Sequence, residues 1–234
     1  MTSLSAGRQI PLAFSKYEHI DFDLFQTGKN GTLIQQLEKL AARETRQNIY
    51  IWGPVGSGKS HLLQALCNAA AKQELAVVYI PLSESEKFSP NMLDGLENLD
   101  LVCLDDVDSI AGDDEWEQAL FHLFNRMREE QTPMIITASE GPRGSSIQLQ
   151  DLSSRLVWDL VFHLETITEE ESLQALKQRA RARGFDLPDD VANYLLKRVS
   201  RDMHSLFRIL DRLDQASLVA KKKLSIPFVK SLLD

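Results

Sequence analysis

The sequence of 234 residues has two cysteines, few aromatic residues and no long apolar run. With only Cys67 and Cys103 a disulfide framework is excluded, so we expect a reducing, cytoplasmic compartment. No segment approaches the roughly 18 to 20 apolar residues that span a bilayer, and the N-terminus lacks the pattern of a secretory signal. We therefore expect no membrane partner. Aromatic residues make up 7% of the chain, so the core must be mainly aliphatic.

The composition is that of a globular protein with an uneven charge. Hydrophobic residues are 43% and charged residues 26%, which excludes intrinsic disorder for most of the chain. The net charge of -8 argues against a dedicated nucleic-acid coat protein. Residues 168–234, however, carry 13 Lys and Arg against 10 Asp and Glu. This basic part could face phosphate, DNA or an acidic partner, although a solvated helix surface is the simpler interpretation.

Short apolar runs alternate with helix-like stretches over the first two thirds of the chain. Five runs have the length of a strand, and they cover residues 48–52, 76–80, 101–104, 134–137 and 161–164. Strands that alternate with helices predict a parallel sheet covered on both faces, which is the α/β class.

The pattern changes near residue 168. Thr168 and Glu171 form the pattern of a capping box, four helix-like stretches follow, and Gly184 stands where a helix would end. The sequence therefore predicts a tail over residues 1–20, an α/β nucleotide-binding domain over 21–167 and a small all-α lid domain over 168–234.

The clearest chemical motif is the octet GPVGSGKS, which matches the phosphate-binding pattern G-x-x-x-x-G-K-[ST] between a strand and a helix. Its glycines let successive backbone N–H groups point at one phosphate chain, and the helix N-terminus adds its positive end. The lysine supplies charge to the β and γ oxygens, and the last serine can complete the shell of a Mg²⁺ ion. The eight residues are Gly53, Pro54, Val55, Gly56, Ser57, Gly58, Lys59 and Ser60.

Two adjacent acids follow the third apolar run, where a phosphate-bound Mg²⁺ would need a carboxylate. We expect Asp105 to hold the ion through its water shell and Asp106 to orient or deprotonate the attacking water. A solvated acidic turn is the alternative interpretation. The next run ends in Thr137, Ala138 and Ser139, whose hydroxyls could sense the γ-phosphate, although such residues are also ordinary at strand ends.

These motifs together resemble an AAA+ ATPase. GKSHLLQA at 58–65 and DLSSRL at 151–156 are similar to the AAA+ core of the bacterial replication initiator DnaA. The chain ends at residue 234, without room for the helix-turn-helix DNA-binding domain of DnaA, and it lacks DnaA's long N-terminal region. It therefore resembles, from about residue 9 to its end, the DnaA-homologous regulators that inactivate DnaA after replication begins. Segments 181–185 and 226–230 add to the resemblance.

The resemblance implies a role for each matching position. Arg155 matches the family's arginine finger, and His61 lies in the matching nucleotide-loop segment. A second-sensor arginine should open the third lid helix, yet His204 stands there, so Arg201 or Arg208 could substitute. Neutral histidine contacts phosphate more weakly than arginine, so the working nucleotide, ADP or ATP, stays open. The family also implies base contacts near residues 21–25.

The tail segment QIPLAF at 9–14 is similar to the motif by which polymerase-associated proteins bind the β sliding clamp. Gln9 can form hydrogen bonds, and Leu12 and Phe14 can fill an apolar pocket. The alternative is that this segment packs back on its own domain.

The implied function is a nucleotide-binding regulator that, tethered to the DNA-loaded clamp, makes DnaA hydrolyse its ATP. DNA would be contacted mainly through the clamp, turnover by the protein itself would be weak or nil, and self-association stays open. The alternatives are a self-hydrolysing AAA+ ATPase, such as a helicase loader or remodelling ring, and a P-loop small-molecule kinase. No substrate-binding insert supports the kinase.

Overall fold

The computed structural model describes residues 20–156, 159–198, 203–220 and 224–233. Five parallel strands form one sheet in the order β2-β3-β4-β1-β5. Their bounds are Ile49–Trp52 for β1, Val77–Pro81 for β2, Leu101–Asp105 for β3, Met134–Ala138 for β4 and Leu160–His163 for β5. Each strand lies within one residue of its predicted run. The expected parallel α/β sheet is confirmed.

Central strands β3 and β4 are buried along their whole length, because helices cover both faces of the sheet. The helices of this body are α1 (Gly31–Ala41), α2 (Lys59–Lys72), α3 (Asp114–Glu129) and the short α4 (Gln150–Arg155). One face packs on α1 and α2 through aliphatic residues such as Leu37 and Leu66. The other packs on α3 and α4 through Leu120 and Leu152.

The register of the strands brings their carboxyl ends to one edge of the sheet. Trp52 of β1 pairs with Ala138 of β4 and with His163 of β5, and Pro81 of β2 pairs with Asp105 of β3. The phosphate-loop octet, the two acids and the hydroxyls after β4 therefore all leave the sheet at the same edge. This edge positions the candidate site.

The C-terminal part is an all-α lid with a core of its own. Its helices are α5 (Glu169–Ala182), α6 (Asp189–Arg198), α7 (Met203–Ala220) and α8 (Ile226–Leu233). The capping box predicted for Thr168 and Glu171 is confirmed, and Gly184 takes the left-handed conformation, φ 83°, that ends α5. Buried aliphatic residues of all four helices, among them Leu176, Leu195, Leu210 and Val229, form the lid core.

Polar contacts join the lid to the α/β body. The buried side chain of Asn30 donates to the Glu165 carbonyl at 3.1 Å and accepts from the Glu165 N–H at 2.9 Å. The Gln178 side chain on α5 donates to the Asp23 carbonyl and accepts from Gln26, both at 2.7 Å. The start of the described chain is thus held against the first lid helix. No helix among the described ranges is long and apolar enough to cross a membrane.

Candidate nucleotide-binding site

The octet at residues 53–60 forms a loop between β1 and α2. The Gly53 N–H donates to the Ala138 carbonyl at 3.2 Å, which anchors the loop to the end of β4. The Ser57 N–H donates to the Pro54 carbonyl at 3.2 Å and closes a turn. Helix α2 then starts at Lys59, so its N-terminal N–H groups face the space that the loop encloses.

Two of the loop glycines are required by close packing. A Cβ atom on Gly58, whose φ is 103°, would lie 2.8 Å from the Phe25 ring, and one on Gly53 would lie 2.8 Å from the Leu164 carbonyl oxygen. A side chain at either position would push the loop away from the elements that hold it. The motif therefore needs glycine here for packing as well as for phosphate access.

Lys59 is buried, with 5% of its surface exposed, and it points back into its own loop. Its Nζ donates to the carbonyl oxygens of Gly53 at 2.9 Å and Pro54 at 3.2 Å. Neutral carbonyls are weaker partners for an ammonium than phosphate oxygens are. The loop thus holds the charge at its centre, where a phosphate chain would meet it.

A further atom in the loop lacks a partner. The Ser57 hydroxyl is buried and makes no hydrogen bond, although buried hydroxyls normally make one. A bound phosphate would supply an acceptor for it. Together with the glycine packing and the buried lysine, this unpaired hydroxyl shows that the residues present fit a nucleotide phosphate chain.

Asp105, at the end of β3, is 3% exposed and is held by two hydroxyls. The Tyr79 hydroxyl on β2 donates to its Oδ2 at 2.6 Å, and the Thr137 hydroxyl on β4 donates to its Oδ1 at 2.5 Å. Burial, together with the Asp105 carboxylate, raises the pKa of Tyr79 far above its usual range, so the phenol acts as a donor. The carboxylate is thus fixed in orientation and keeps lone pairs for a hydrated Mg²⁺.

Asp106 lies just beyond the strand in a strained conformation. Its φ of 55° is in the left-handed region, and its N–H donates to the Thr137 hydroxyl at 2.8 Å. Burial raises the pKa of its carboxyl, and the charge of Asp105 raises it further. Conformational strain and a perturbed carboxyl are typical of functional positions.

The hydroxyls after β4 serve neighbouring carboxylates in the described structure. Thr137 bonds Asp105, whereas the Ser139 hydroxyl bonds Asp108, which also accepts the Ser139 N–H at 2.6 Å. The predicted sensing of a γ-phosphate by Ser139 stays a prediction. Thr137 instead links the two acids of the site, a role that the sequence did not indicate.

The first described residues run across the start of α2. The Asn68 side chain donates to the Ile20 carbonyl at 2.6 Å, and the His61 Nε2 lies 3.3 Å from the Asp21 carbonyl oxygen. The Phe25 ring packs beside His61, with 5.8 Å between ring centroids. Burial lowers the pKa of His61, and the nearby charge of Arg179 lowers it further. We call residues 20–26 the N-terminal strap.

Arg155 lies at the opposite edge of the sheet. It borders a small cleft with Asn48, Met134 and Asp159, which mark the starts of β1, β4 and β5. The phosphate loop follows the far end of β1. Because four residues of strand rise about 13 Å, Arg155 is separated from its own phosphate loop by the depth of the sheet.

Helix α3 holds the Arg155 side chain. Its guanidinium lies 4.6 Å from the centroid of the Phe121 ring and also donates a hydrogen bond to the side-chain oxygen of Asn125. The buried Glu117 carboxylate accepts N–H groups from Gln148 and Leu149, just before α4. These contacts fix both α4 and the arginine that ends it. The sequence did not indicate that Asn125 or Glu117 would hold this region.

The lid residues proposed for nucleotide contact are only partly described. The side chain of His204 and the whole of Arg201 lie outside the described residues, and Arg208 is exposed on α7. Arg179 on α5, which the sequence did not indicate, is 7% exposed beside the strap. The tail residues Gln9, Leu12 and Phe14 lie outside the described residues.

The residues that the sequence missed have a common feature. Tyr79, Glu117, Asn125 and Arg179 each lie on a strand or helix without any motif, and each acquires its contact only when another element packs against it. Such a residue can be suspected in the sequence when a polar side chain occupies a position of a helix or strand that should be buried. The pattern does not, however, identify its partner.

Comparison with known proteins agrees with this architecture. The family model for the bacterial DnaA ATPase domain matches residues 17–165, well over half of the chain. The model for the Hda lid domain matches residues 169–233. Domain III of the replication initiation protein DnaA from Thermotoga maritima is 25% identical, with a TM-score of 0.77, over 92% of this chain and 95% of that chain.

Two further structures share the fold. AMPPCP-bound DnaA from Aquifex aeolicus is 24% identical with a TM-score of 0.61, over 80% of this chain and 62% of that chain. The RuvB Holliday junction branch migration motor of Thermotoga maritima is 16% identical with a TM-score of 0.67, over 91% of this chain and 70% of that chain. The sheet, the phosphate loop and the helical lid are thus those of an AAA+ protein. With both parts matched, the chain belongs to the bacterial DnaA ATPase-domain family, as an Hda-like homologue of DnaA.

Proposed function

We propose that this protein is a nucleotide-binding negative regulator of replication initiation. Tethered to the DNA-loaded sliding clamp, it would stimulate hydrolysis of the ATP bound to DnaA by supplying Arg155 in trans. The observation that carries the proposal is the placement of Arg155 at the edge of the sheet opposite its own phosphate loop. A guanidinium there cannot act on its own nucleotide, but it can reach across an interface.

The nucleotide of this protein would be ADP or ATP with Mg²⁺. Gly53 to Ser60 would cradle the phosphates, Lys59 would donate to their oxygens, and Ser60 with the buried Asp105 would hold the ion, partly through water. When bound, Mg²⁺ supplies charge that offsets the phosphate oxygens. The strap, which contacts His61, would cover the base. Binding of AMPPCP by the DnaA of Aquifex aeolicus supports this assignment.

In the DnaA active site, Arg155 would stabilise the charge that develops as the γ-phosphate bond breaks. Its present contacts with Phe121 and Asn125 hold the guanidinium in place at little entropic cost. Its planar fork matches phosphate oxygens, which a lysine ammonium does not. The protein would thus act through its partner.

The tail and the two domains would have separate roles. Residues 1–20 would be a tail whose Gln9, Leu12 and Phe14 bind the clamp, ahead of the nucleotide-binding domain at 21–167 and the lid domain at 168–234. DNA would be met mainly through the clamp. The same edge, with the half-buried Arg155, would also allow a homo-oligomer in which the arginine serves a second copy.

A second function has its own support. The protein keeps a lysine for phosphate and two carboxylates for the metal and the water, because Lys59, Asp105 and Asp106 all lie at the edge of the sheet where a nucleotide would bind. A self-hydrolysing ATPase that loads a helicase or remodels a complex would use the same residues. Aspartate at position 106 is one methylene shorter than the glutamate that many P-loop ATPases carry there, which argues for weak turnover.

A reconstituted ATPase assay tests the proposal. DnaA loaded with ATP is mixed with this protein and with clamp on DNA, and the released phosphate is measured. We expect fast release only with all three present. Replacing Gln9, Leu12 and Phe14 by Ala should abolish stimulation and clamp pull-down while leaving the melting temperature unchanged, because a tail that binds the clamp would contribute little to the core. Equal hydrolysis without DnaA would instead support the second function, and clamp binding by the triple variant would refute the tail assignment.

A further inference from the structure

Arg179 on lid helix α5 is a buried cation without a complete set of partners. Only 7% of its surface is exposed, and its Nε makes no hydrogen bond. A guanidinium remains charged in proteins, and a buried charge is costly unless an anion pairs with it. The Asp211 carboxylate favours its charge but forms a salt bridge of 2.7 Å with Arg183. Arg179 is therefore left short of an anionic acceptor.

The position of Arg179 gives a reason for this arrangement. Its guanidinium carbon lies 4.6 Å from the centroid of the Phe207 ring on α7, and the adjacent Gln178 donates to the Asp23 carbonyl of the strap at 2.7 Å. The strap in turn contacts His61 in the first turn of α2, and the charge of Arg179 reaches that imidazole. Arg179 thus lies where the lid, the strap and the helix that follows the phosphate loop come together.

The atoms around this junction complement a nucleotide. The Ser57 hydroxyl in the phosphate loop is also buried without a partner. The next residue, Gly58, packs against the Phe25 ring of the strap, and Phe25 in turn packs beside His61. Phosphate oxygens accept from both the hydroxyl and the guanidinium. A ligand that occupies the loop would therefore satisfy a donor on the body and a donor on the lid at once.

We propose that Arg179 is the lid residue that binds the phosphate chain of the nucleotide held by the loop, a role that rests on the proposed nucleotide site. An anion at this point pairs the buried guanidinium and joins the lid to the body through the ligand. The lid contact then comes from its first helix, α5.

The test is calorimetry of ADP and AMP binding to the full chain. Arg179→Met keeps the length and packing of the side chain but removes its charge, and Arg179→Lys keeps the charge but not the fork. Arg181→Ala is the matched control, because Arg181 is exposed two residues further along α5 and its loss changes the net charge equally. Melting temperatures without nucleotide are measured for all variants.

We expect Arg179→Met to weaken ADP binding about tenfold and AMP binding less. The ADP affinity of this variant should also fall less steeply with rising salt concentration than that of the wild type. Arg179→Lys should fall between, and Arg181→Ala should match the wild type. Wild-type ADP affinity in Arg179→Met, with or without a lower melting temperature, would overturn the proposal and leave Arg179 as a packing partner of Phe207. If Arg179→Met fails to fold, the lysine variant decides, because undiminished ADP binding by it would exclude a phosphate-binding fork.

Different results would refute the proposed nucleotide site itself. If the wild type binds no ADP, or if Lys59→Ala binds as the wild type does, the phosphate loop itself is wrong. If the wild type binds, Lys59→Ala does not, and Arg179→Met is unaffected, only the inference about Arg179 is overturned.

Discussion

At the carboxyl edge of the sheet, a glycine loop, a buried lysine and a carboxylate held by two hydroxyls surround one small region. At the amino edge, Arg155 lies on an aromatic ring beside an asparagine. The first edge has donors and acceptors for a whole ligand, whereas the phosphate loop lies away from the second. Under the proposed function, the carboxyl edge would hold the protein's own nucleotide, and Arg155 at the amino edge would complete a site on another molecule.

The two edges also differ in how far their polar groups are already paired within the protein. The carboxyl edge contains a buried hydroxyl without a partner, that of Ser57, and a carboxyl with a raised pKa, that of Asp106. A phosphate oxygen could accept from the first, and the charge of a bound Mg²⁺ could offset the second. At the amino edge, Arg155 is already paired within the protein. A residue that acts on a partner gains from being rigid beforehand, because no entropy is then lost at the moment of contact.

The strongest test of the comparison removes Arg155. Arg155→Ala should lower the stimulation of DnaA ATP hydrolysis about 10³-fold or more, the usual loss for an arginine that contacts a transferred phosphoryl group. Its own ADP affinity and clamp binding should stay at wild-type values, because its own loop lies at the other edge. Arg155→Lys should lose nearly as much stimulation, because a lysine ammonium does not reproduce the planar fork. Near-normal stimulation by Arg155→Ala, measured as phosphate release, would show that DnaA supplies all the catalytic groups.

At the carboxyl edge, Lys59→Ala should weaken ADP binding about 10- to 100-fold, since a charge-assisted phosphate contact is worth about 1.5–3 kcal/mol. Calorimetry measures the change. Lys72→Ala, at the exposed end of the same helix α2, is the charge-matched control and should bind normally. Equal affinities of the two variants would contradict the phosphate-loop assignment.

A smaller effect should follow from the Tyr79 hydroxyl, which orients the Asp105 carboxylate. Tyr79→Phe should reduce the affinity for Mg²⁺ in the nucleotide complex about tenfold, as loss of a hydrogen bond to a metal ligand commonly does. ADP binding is titrated with and without Mg²⁺, so that only the Mg²⁺-dependent part is attributed to Tyr79. Tyr50→Phe is the control, because that buried phenol bonds the Glu140 carbonyl instead. A change in ADP binding without Mg²⁺ would point to general loosening of the site.

The smallest expected effect concerns Asp106 and pH. Burial, followed by the charge of Asp105, raises the pKa of Asp106 above its unfolded value. The folded state then binds more protons than the unfolded state between the two pKa values, so this group stabilises the fold at low pH and that contribution is lost as pH rises. Asp106→Asn should therefore melt at a higher temperature than the wild type at neutral pH without ligand. Melting curves at acidic pH should show a smaller difference, and a constant difference would exclude ionisation as the cause.

Most of the fold could be predicted from the sequence because its signals are local. An apolar run of four or five residues indicates a buried strand wherever it lies, and the octet at 53–60 carries its own turn, charge and helix start. The capping box at Thr168 likewise lies within four consecutive residues. In each case the residues that interact are close neighbours along the chain, so their pattern suffices.

The site could be predicted only in part, because its remaining contacts join distant segments. Tyr79 and Asp105 are 26 residues apart, and Arg155 and Asn125 are 30 residues apart. Nothing in the spacing of these residues indicates a contact. Strand order decides the first pair, because β2 lies beside β3, and helix packing decides the second.

By itself, the sequence determined the class of fold, the phosphate loop and the presence of an acidic strand end, since backbone geometry and local charge specify each of them. The tertiary structure alone decided that the sheet separates Arg155 from its own loop, that two hydroxyls fix Asp105, and that Arg179 is buried beside the strap. These features depend on which elements are neighbours in space. The packing of apolar faces selects those neighbours, and it acts over the whole chain at once.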